Sequence, residues 1–336
     1  MKTKRSITSV ILSLVLALSL CLGLTACGDK AAQDDPQGGS SDGETKYVVG
    51  ICQLVQHDAL DAATQGFIDA LNEALPGQVE FLNRNASGDS ANCTTIVNGF
   101  VSDGVDLIMA NATASLTAAA SATDEIPILG TSITAYGVAL DIENFSGTVG
   151  GNISGTSDLA DLEAQANMIT EWFPEAQKVA LLFCSGEANS RYQIEEVAKY
   201  LAAKGIESKE FAFTDTNDVS SVTQSAADYA DVVYIPTDNT AASNTEAIAN
   251  VLVPAGVPAI AGEEGICKGC GVATLSISYY DLGVTTGKMA AKILTGEADI
   301  SEMPIEYFQN PVKKYAAERC AALGIEIPSD YVAIEG

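Results

Sequence analysis

The chain has 336 residues, 47% of them hydrophobic, and carries 44 acidic side chains against 17 basic ones. This length is sufficient for two domains or for one large α/β unit. The formal charge of −27 makes it hard to assemble the basic face that nucleic acids require, so we expect no nucleic-acid partner.

The first 26 residues have the composition of a secretory signal. Basic side chains lie within the first five positions, and an apolar run covers residues 7–24. A transmembrane anchor is the alternative, because about 18 apolar residues approach the length of a membrane span. The run ends in Leu24-Thr25-Ala26-Cys27, where small residues suit a signal peptidase and the thiol suits lipid attachment. We therefore predict a lipoprotein signal peptide over residues 1–26, with a diacylglyceryl lipid on Cys27 that anchors the protein outside the cytoplasmic membrane.

We predict that residues 27–46 form a flexible tether, because they are rich in Gly, Ser, Asp and Gln and almost free of apolar side chains. Removal of residues 1–26 takes away three basic and no acidic side chains, which leaves a formal charge of −30. Such a charge favours solubility and repels anionic surfaces, so we expect the globular part to stay near the membrane without lying on it.

Beyond Lys46 the chain alternates between short apolar runs and amphipathic stretches, and this alternation predicts strands and helices in turn. The predicted strands are Tyr47–Cys52, Val79–Leu82, Val105–Ala110, Ile126–Gly130, Lys178–Phe183, Ile206–Phe213, Asp231–Ile235 and Val257–Ala261. The predicted helices are Leu60–Ala74, Leu159–Phe173, Ile194–Ala203, Asp218–Tyr229, Thr240–Val253 and Leu282–Leu294. Because the series runs twice, we predict an α/β fold with two doubly wound, mostly parallel sheets rather than one large sheet.

Polar loops follow the predicted strands, at the carboxyl ends where open α/β sheets bind their ligands. These loops are Gln53–Asp58, Asn83–Asp89, Asn111–Thr113, Thr131–Thr134, Ser185–Ser190, Pro236–Thr240 and Gly262–Glu264. Their hydrogen-bonding side chains suit a small zwitterion or polyol. Each loop has an alternative role, since Asp238 and Asn189 are also good caps for the helices that follow. The recurrence at successive strand ends favours a binding site.

Signals for catalysis and metal binding are weak. His57 is the single histidine, and no glycine-rich phosphate loop follows a strand. Cys267 and Cys270 form the one close cysteine pair, in a glycine-rich stretch that we interpret as a loop. A zinc site would need further ligands, so we expect a loop disulfide or two plain thiols there. We therefore predict a protein that is not an enzyme and that holds no cofactor or metal.

Several stretches along the chain resemble a known family, the substrate-binding lipoproteins of bacterial ABC importers with the type I periplasmic-binding-protein fold. The resemblance is carried by Val49–Asp61, Asn152–Asp158, Gly186–Ser190, Tyr234–Thr240, Gly262–Gly265 and Ile277–Gly283. More narrowly, the chain is similar to tryptophan- and tyrosine-type binding proteins. The resemblance implies two lobes joined by a three-strand hinge. The N-terminal lobe would hold residues 47–156 and 274–304, and the C-terminal lobe residues 157–273 and 305–336.

The resemblance also implies that an amino acid binds in the cleft between the lobes and closes it. Its carboxylate would contact Thr113, Thr134 and Ser190, and its ammonium group would pair with Asp238 or Glu187. The ligand's side chain would meet Gln53, His57 and Glu264. Asn189, Asn239 and Thr240 complete the predicted site.

The expected partners are an ABC permease and ATPase, the membrane through the lipid on Cys27, and a small ligand bound by a monomer. Two alternatives stay open at this point. The ligand is a nucleoside, a sugar or another small solute, or the protein is a sensor subunit that presents its ligand to a receptor.

Overall fold

A computed structural model describes residues 46–335, and the predictions for the signal peptide, Cys27 and the tether up to residue 45 lie outside these residues. The chain forms two separate sheets. The first contains β1 (Tyr47–Gln53), β2 (Val79–Asn85), β3 (Leu107–Asn111), β4 (Ile128–Ile133), β5 (Ile153–Ser157) and β11 (Glu306–Tyr307). Its strands are all parallel and lie in the order β11-β5-β4-β3-β1-β2.

The second sheet contains β6 (Lys178–Cys184), β7 (Glu207–Phe213), β8 (Val232–Ile235), β9 (Ala259–Ala261), β10 (Ala273–Ser276), β12 (Val312–Tyr315) and β13 (Val332–Ala333). The strand order is β13-β12-β10-β9-β8-β6-β7. Only the pairing of β10 with β12 is antiparallel among the described strands of this sheet. Two mostly parallel sheets confirm the predicted α/β fold with two lobes.

Helices connect the strands in both lobes. The first lobe has α1 (Asp58–Ala74), α2 (Ser90–Asp103), α3 (Thr113–Ala122), α4 (Tyr136–Ala139) and α11 (Tyr279–Leu294). The second has α5 (Leu162–Trp172), α6 (Ala188–Ala203), α7 (Val219–Ala227), α8 (Asn239–Ala242), α9 (Thr245–Ala255), α10 (Glu264–Cys270) and α12 (Ala317–Leu323). Within residues 46–335, no helix has the length and apolar character that a membrane span requires.

Each sheet has a hydrophobic core on both of its faces. Along β3, Leu107 and Met109 belong to one core and Ile108 to the other. Along β6, Leu181 and Leu182 divide in the same way. Successive side chains of a strand point to opposite faces, so continuous apolar runs such as these are what a sheet covered on both faces requires. In each lobe, the two cores hold the strands of the sheet in place and so fix the positions of the carboxyl ends of those strands.

Three connections run between the two sheets: from β5 to α5, from β10 to α11, and from β11 to β12. The sequence-based limits of the lobes placed residues 274–276 with the first lobe and residues 305–307 with the second. Hydrogen bonding places β10 in the second sheet, beside β9 and β12, and β11 in the first sheet, beside β5. Pairing between distant strands decides these positions, and local patterns do not reveal it.

Several elements differ from the sequence predictions. The sequence pattern did not reveal β5, β10 to β13, α2 to α4, α10 or α12. It also predicted α8 and α9 as one helix, although Ser243 and Asn244 separate them. Cys267 and Cys270 lie on α10 and not in a loop. The six cysteines among the described residues are free and buried. Cys52 and Cys184 lie in the hydrophobic cores of the first and second lobe, respectively.

Candidate functional site

A cleft lies between the carboxyl ends of the two sheets. It contains a cavity of about 770 Å³ that residues of both lobes line, a volume in the range typical of small-molecule sites. The first lobe contributes apolar surface from Leu54, Val55, Ala114 and Ala118. The second lobe contributes mainly polar groups from the segments that follow β6, β7 and β8. The first lobe also adds polar side chains, among them Asp89, Thr94 and Thr117. The cleft is therefore largely polar, with an apolar patch on the side of the first lobe.

A second, much smaller cavity adjoins this cleft, and the two share Asn189 and Asn239 in their walls. Its volume is about 10 Å³, which is room for roughly one water molecule. Polar and titratable side chains from both lobes line it: His57, Ser132, Thr134, Asp158, Thr237, Asp238, Glu263 and Tyr279. We call it the inner cavity.

The inner cavity is strongly acidic. Asp158, Asp238 and Glu263 are each at most 4% exposed, and no lysine or arginine is among the described residues that line the cavity. Burial raises the pKa of all three carboxyl groups, and that of Glu263 rises to about 7. Burial also lowers the pKa of His57. A ligand cation placed against these carboxyl groups would favour their ionised form and pair with it.

Asp238 is held by its own lobe. It is the N-cap of α8, where its Oδ1 accepts a hydrogen bond of 2.7 Å from the Ala241 amide. Its Oδ2 accepts another of 2.7 Å from the amide of Cys184. Both carboxylate oxygens are thus engaged with backbone donors, and the capping role that the sequence left open for Asp238 is present in the structure.

Asp158 is placed differently. It directly follows β5, and the hydroxyl of Tyr279 donates a 2.9 Å hydrogen bond to its Oδ2. Its Oδ1 is buried and has no hydrogen-bond partner among the described residues, and the same holds for the Ser132 hydroxyl. A buried carboxylate oxygen without a donor is costly unless a ligand or water supplies one.

Glu187 is surrounded by donors of its own lobe. Its carboxylate accepts bonds from the backbone amides of Asn239 and Thr240, at 2.9 and 2.8 Å, and from both of their side chains, at 2.7 and 2.8 Å. The nearby Asn189 side chain donates to the Thr237 carbonyl at 2.9 Å. These bonds tie the loop after β6 to the start of α8 and so shape the second lobe's side of the cleft.

Among the described residues, a hydrogen bond between His57 and Asn239 joins the two lobes across the cleft. His57, between β1 and α1, has its Nε2 at 3.2 Å from Oδ1 of Asn239 at the start of α8. Because this pair belongs to loops on opposite lobes, it can form only when the lobes are close together.

The structure brings most of the predicted site residues to the two cavities. The larger one is lined by Thr113, Glu187, Asn189, Asn239 and Thr240, and the inner one by His57, Thr134, Asn189, Asp238 and Asn239. Ser190 is buried, and the Asn189 amide contacts its hydroxyl at 3.3 Å. Ser190, Gln53 and Glu264 are not among the residues that line either cavity.

Gln53 and Glu264 are occupied elsewhere. The Gln53 amide donates to Asp61 at 2.6 Å and accepts from Thr64 at 2.7 Å, inside the first lobe. Glu264 pairs with Lys314 at 2.8 Å, in a separate groove. In both cases other side chains of the protein bind the polar group that its position after a strand had suggested as a ligand contact.

Sequence reasoning missed Asp158, Glu263 and Tyr279 as site residues. Asp158 and Tyr279 stand at the first two connections between the sheets, so their position depended on strands β5 and β10 that the pattern did not reveal. Glu263 was in a loop that the sequence did single out, but the neighbouring Glu264 was chosen. The strand-end rule would have found Asp158 once β5 was recognised.

Comparison with known proteins adds to this geometry. A model of the ABC transporter substrate-binding protein family matches residues 48–331. The tyrosine-binding protein of Clostridioides difficile strain R20291 is 31% identical over 311 residues, which cover 90% of this chain and 87% of that protein.

Two solved structures are similar over most of the chain. An ABC domain from Streptococcus pneumonia in complex with L-Trp is 29% identical with a TM-score of 0.80, and the match covers 84% of this chain and 96% of that one. The ligand-free, open structure of a substrate-binding protein with adhesive properties from Clostridium difficile is 32% identical with a TM-score of 0.65, covering 86% and 100%. At similar identity, the TM-score is thus higher for the L-Trp complex than for the ligand-free, open structure.

Proposed function

Because the chain belongs to the ABC transporter substrate-binding protein family, we propose that it captures an aromatic amino acid in its cleft and delivers it to an ABC permease. The family is one of solute-binding proteins and not of enzymes, and we extend this to the chain itself, with no catalytic turnover. The observation that carries the proposal is the polar cleft, with an apolar patch on the first lobe and an acidic inner end.

The residues that line the cleft suit the three parts of an aromatic amino acid, which are its side chain, its carboxylate and its ammonium group. The aromatic side chain would lie against the apolar surface of Leu54, Val55 and Ala118, where burial is favourable. The carboxylate would lie in the larger cavity near Thr113, the first residue of α3, where free amides and a hydroxyl suit an anion. Thr134 faces the acidic inner cavity and is therefore a less suitable partner for a carboxylate.

We further propose that the protein acts outside the cytoplasmic membrane as a monomer. Lipid on Cys27 would anchor it beside its permease and ATPase. The sequence pattern at residues 24–27 supports this part of the proposal. Fractionation of cells that express wild type or Cys27→Ser, with the N-terminus of each protein determined, tests it. Loss of the lipid should leave a protein that either keeps its signal peptide uncleaved or is released from the membrane.

A thermal-shift screen tests the ligand. Tryptophan, tyrosine and phenylalanine are compared with other amino acids, nucleosides and sugars. A ligand present at about 100 times its dissociation constant adds about 2.7 kcal/mol to the stability of the folded state. We expect the aromatic amino acids to give the largest shift in melting temperature. A larger shift with a nucleoside or sugar would contradict the proposed ligand class.

A further inference from the structure

The size of the inner cavity restricts what it can hold. Room for roughly one water molecule is also room for an ammonium group, which is of similar size and carries three hydrogen-bond donors. The remainder of an amino acid would then lie in the adjoining cleft of about 770 Å³. The lining of the cavity is acidic, and no lysine or arginine is among the described residues that form it, so a cation is favoured there.

Of the three buried carboxyl groups, two have their oxygens engaged. Asp238 accepts from the amides of Cys184 and Ala241. Glu263 caps α10 and accepts from the amides of Gly265 and Ile266. Only Asp158 has a buried oxygen, Oδ1, that lacks a partner among the described residues.

We propose that Asp158 is the acceptor for the ligand's ammonium group, with Oδ1 as the contacting atom. The inference rests on the proposed function and assigns a different residue from the Asp238 or Glu187 that the family resemblance had implied. Tyr279 holds the carboxylate in place through Oδ2. The Ser132 hydroxyl, also without a described partner, is a further acceptor at the same cavity.

The position of Asp158 allows it to couple ligand binding to both lobes. It lies in the connection from β5 to α5, and its partner Tyr279 begins α11 after the connection from β10. An ammonium group held there would contact one of the three segments that join the lobes directly, and a second one through the hydrogen bond of Tyr279 to Asp158. The ligand therefore gains this contact only in an arrangement of the lobes that keeps both segments in register.

The test compares two kinds of ligand on three proteins. The ligands are tryptophan or tyrosine and the matching acid without the amino group, indole-3-propionate or 3-(4-hydroxyphenyl)propionate. Wild type, Asp158→Asn and Asp238→Asn are titrated by calorimetry, and thermal unfolding checks that each variant is folded. The measured quantity is the ratio of the two dissociation constants, which cancels general effects of a variant on the cleft.

We expect wild type to prefer the amino acid strongly and Asp158→Asn to lose most of that preference. The loss in affinity should be roughly 100-fold or more, as for breaking a buried ion pair. Asp238→Asn should lower the ratio much less, because the oxygens of Asp238 are already held by the Cys184 and Ala241 amides. Tyr279→Phe, a second variant, should reduce the ratio by several-fold because it frees Oδ2.

Two outcomes would overturn the inference in different ways. If wild type binds the aromatic amino acid and Asp158→Asn keeps its preference for the amino group, the assignment of Asp158 is wrong and the proposed function stands. If wild type binds none of the aromatic amino acids, the proposed function is wrong and the assignment falls with it.

Discussion

At the scale of single residues, the acidic inner cavity makes the stability of the ligand-free protein depend on pH. Burial raises the pKa of Glu263 from its ordinary value of 4.5 to about 7 in the folded protein. The folded state therefore holds this proton more tightly than the unfolded chain does. For a group of this kind, the free energy of unfolding falls as the pH rises from the unfolded pKa to the folded one.

We expect Glu263→Gln to remove this contribution. Between about pH 4.5 and pH 7, the wild type should lose up to about 3 kcal/mol more stability than the variant, from a shift of some two to three pKa units at 1.36 kcal/mol each. Urea unfolding of both proteins without ligand at pH 5 and pH 7.5 measures the difference.

Asp161→Asn is the matched control, because Asp161 also caps a helix through a backbone amide but is exposed. Its stability should follow that of wild type over the same pH range. An equal pH dependence of wild type and Glu263→Gln would contradict the prediction.

At the scale of helices, the first lobe depends on the close contact of α1 with α11. Gly66 on α1 and Gly283 on α11 each face the backbone of the other helix. A Cβ atom at Gly66 would lie 2.1 Å from the Tyr280 carbonyl oxygen, and one at Gly283 would lie 2.0 Å from that of Ala63. The two helices therefore touch through their backbones, and a larger residue would have to push them apart.

Gly283→Ala should destabilise the protein by about 1–3 kcal/mol, because added volume in a tight contact forces the backbone to shift. Gly99→Ala on α2 is the matched control, since nothing lies within 4 Å of a Cβ atom at that position. It should raise stability by up to about 1 kcal/mol through helix propensity. Equilibrium unfolding measures both, and equal effects would contradict the role of the contact.

At the scale of the whole molecule, the lobes are drawn together on the side of His57 and Asn239. The higher TM-score against the L-Trp complex than against the open ligand-free structure agrees with a closed arrangement. A binding protein of this kind responds to ligand only through the difference in affinity between its open and closed states. Contacts between the lobes set that balance before any ligand arrives.

We expect His57→Ala to weaken binding of the aromatic amino acid by a few-fold, as for the loss of one neutral hydrogen bond of about 1 kcal/mol. Small-angle scattering should show a larger radius of gyration for the ligand-free variant than for wild type. Thr95→Ala, on the exposed side of α2, should change neither quantity. If the radius of gyration and the affinity of His57→Ala equal those of wild type, the hydrogen bond between His57 and Asn239 has no role in closing the cleft.

The sequence by itself determined the class of fold and the region of the site. Apolar runs alternating with amphipathic stretches are local patterns, and they located β1, β6 and most strands between them to within a few residues. Parallel strands place their carboxyl ends on one edge, so polar loops there indicated a cleft without knowledge of the pairing. Thr113, Asn189 and Asn239 were found in this way.

Only the tertiary structure decided which polar groups are left for a ligand. Asp238 and Asp158 both follow a strand, yet backbone amides donate to both oxygens of Asp238, whereas one oxygen of Asp158 has no described partner. Glu264 meets Lys314, fifty positions away, and is removed from the site by that ion pair. Whether a polar atom is free depends on partners that are distant along the chain and adjacent in space, so no pattern of neighbouring residues encodes it.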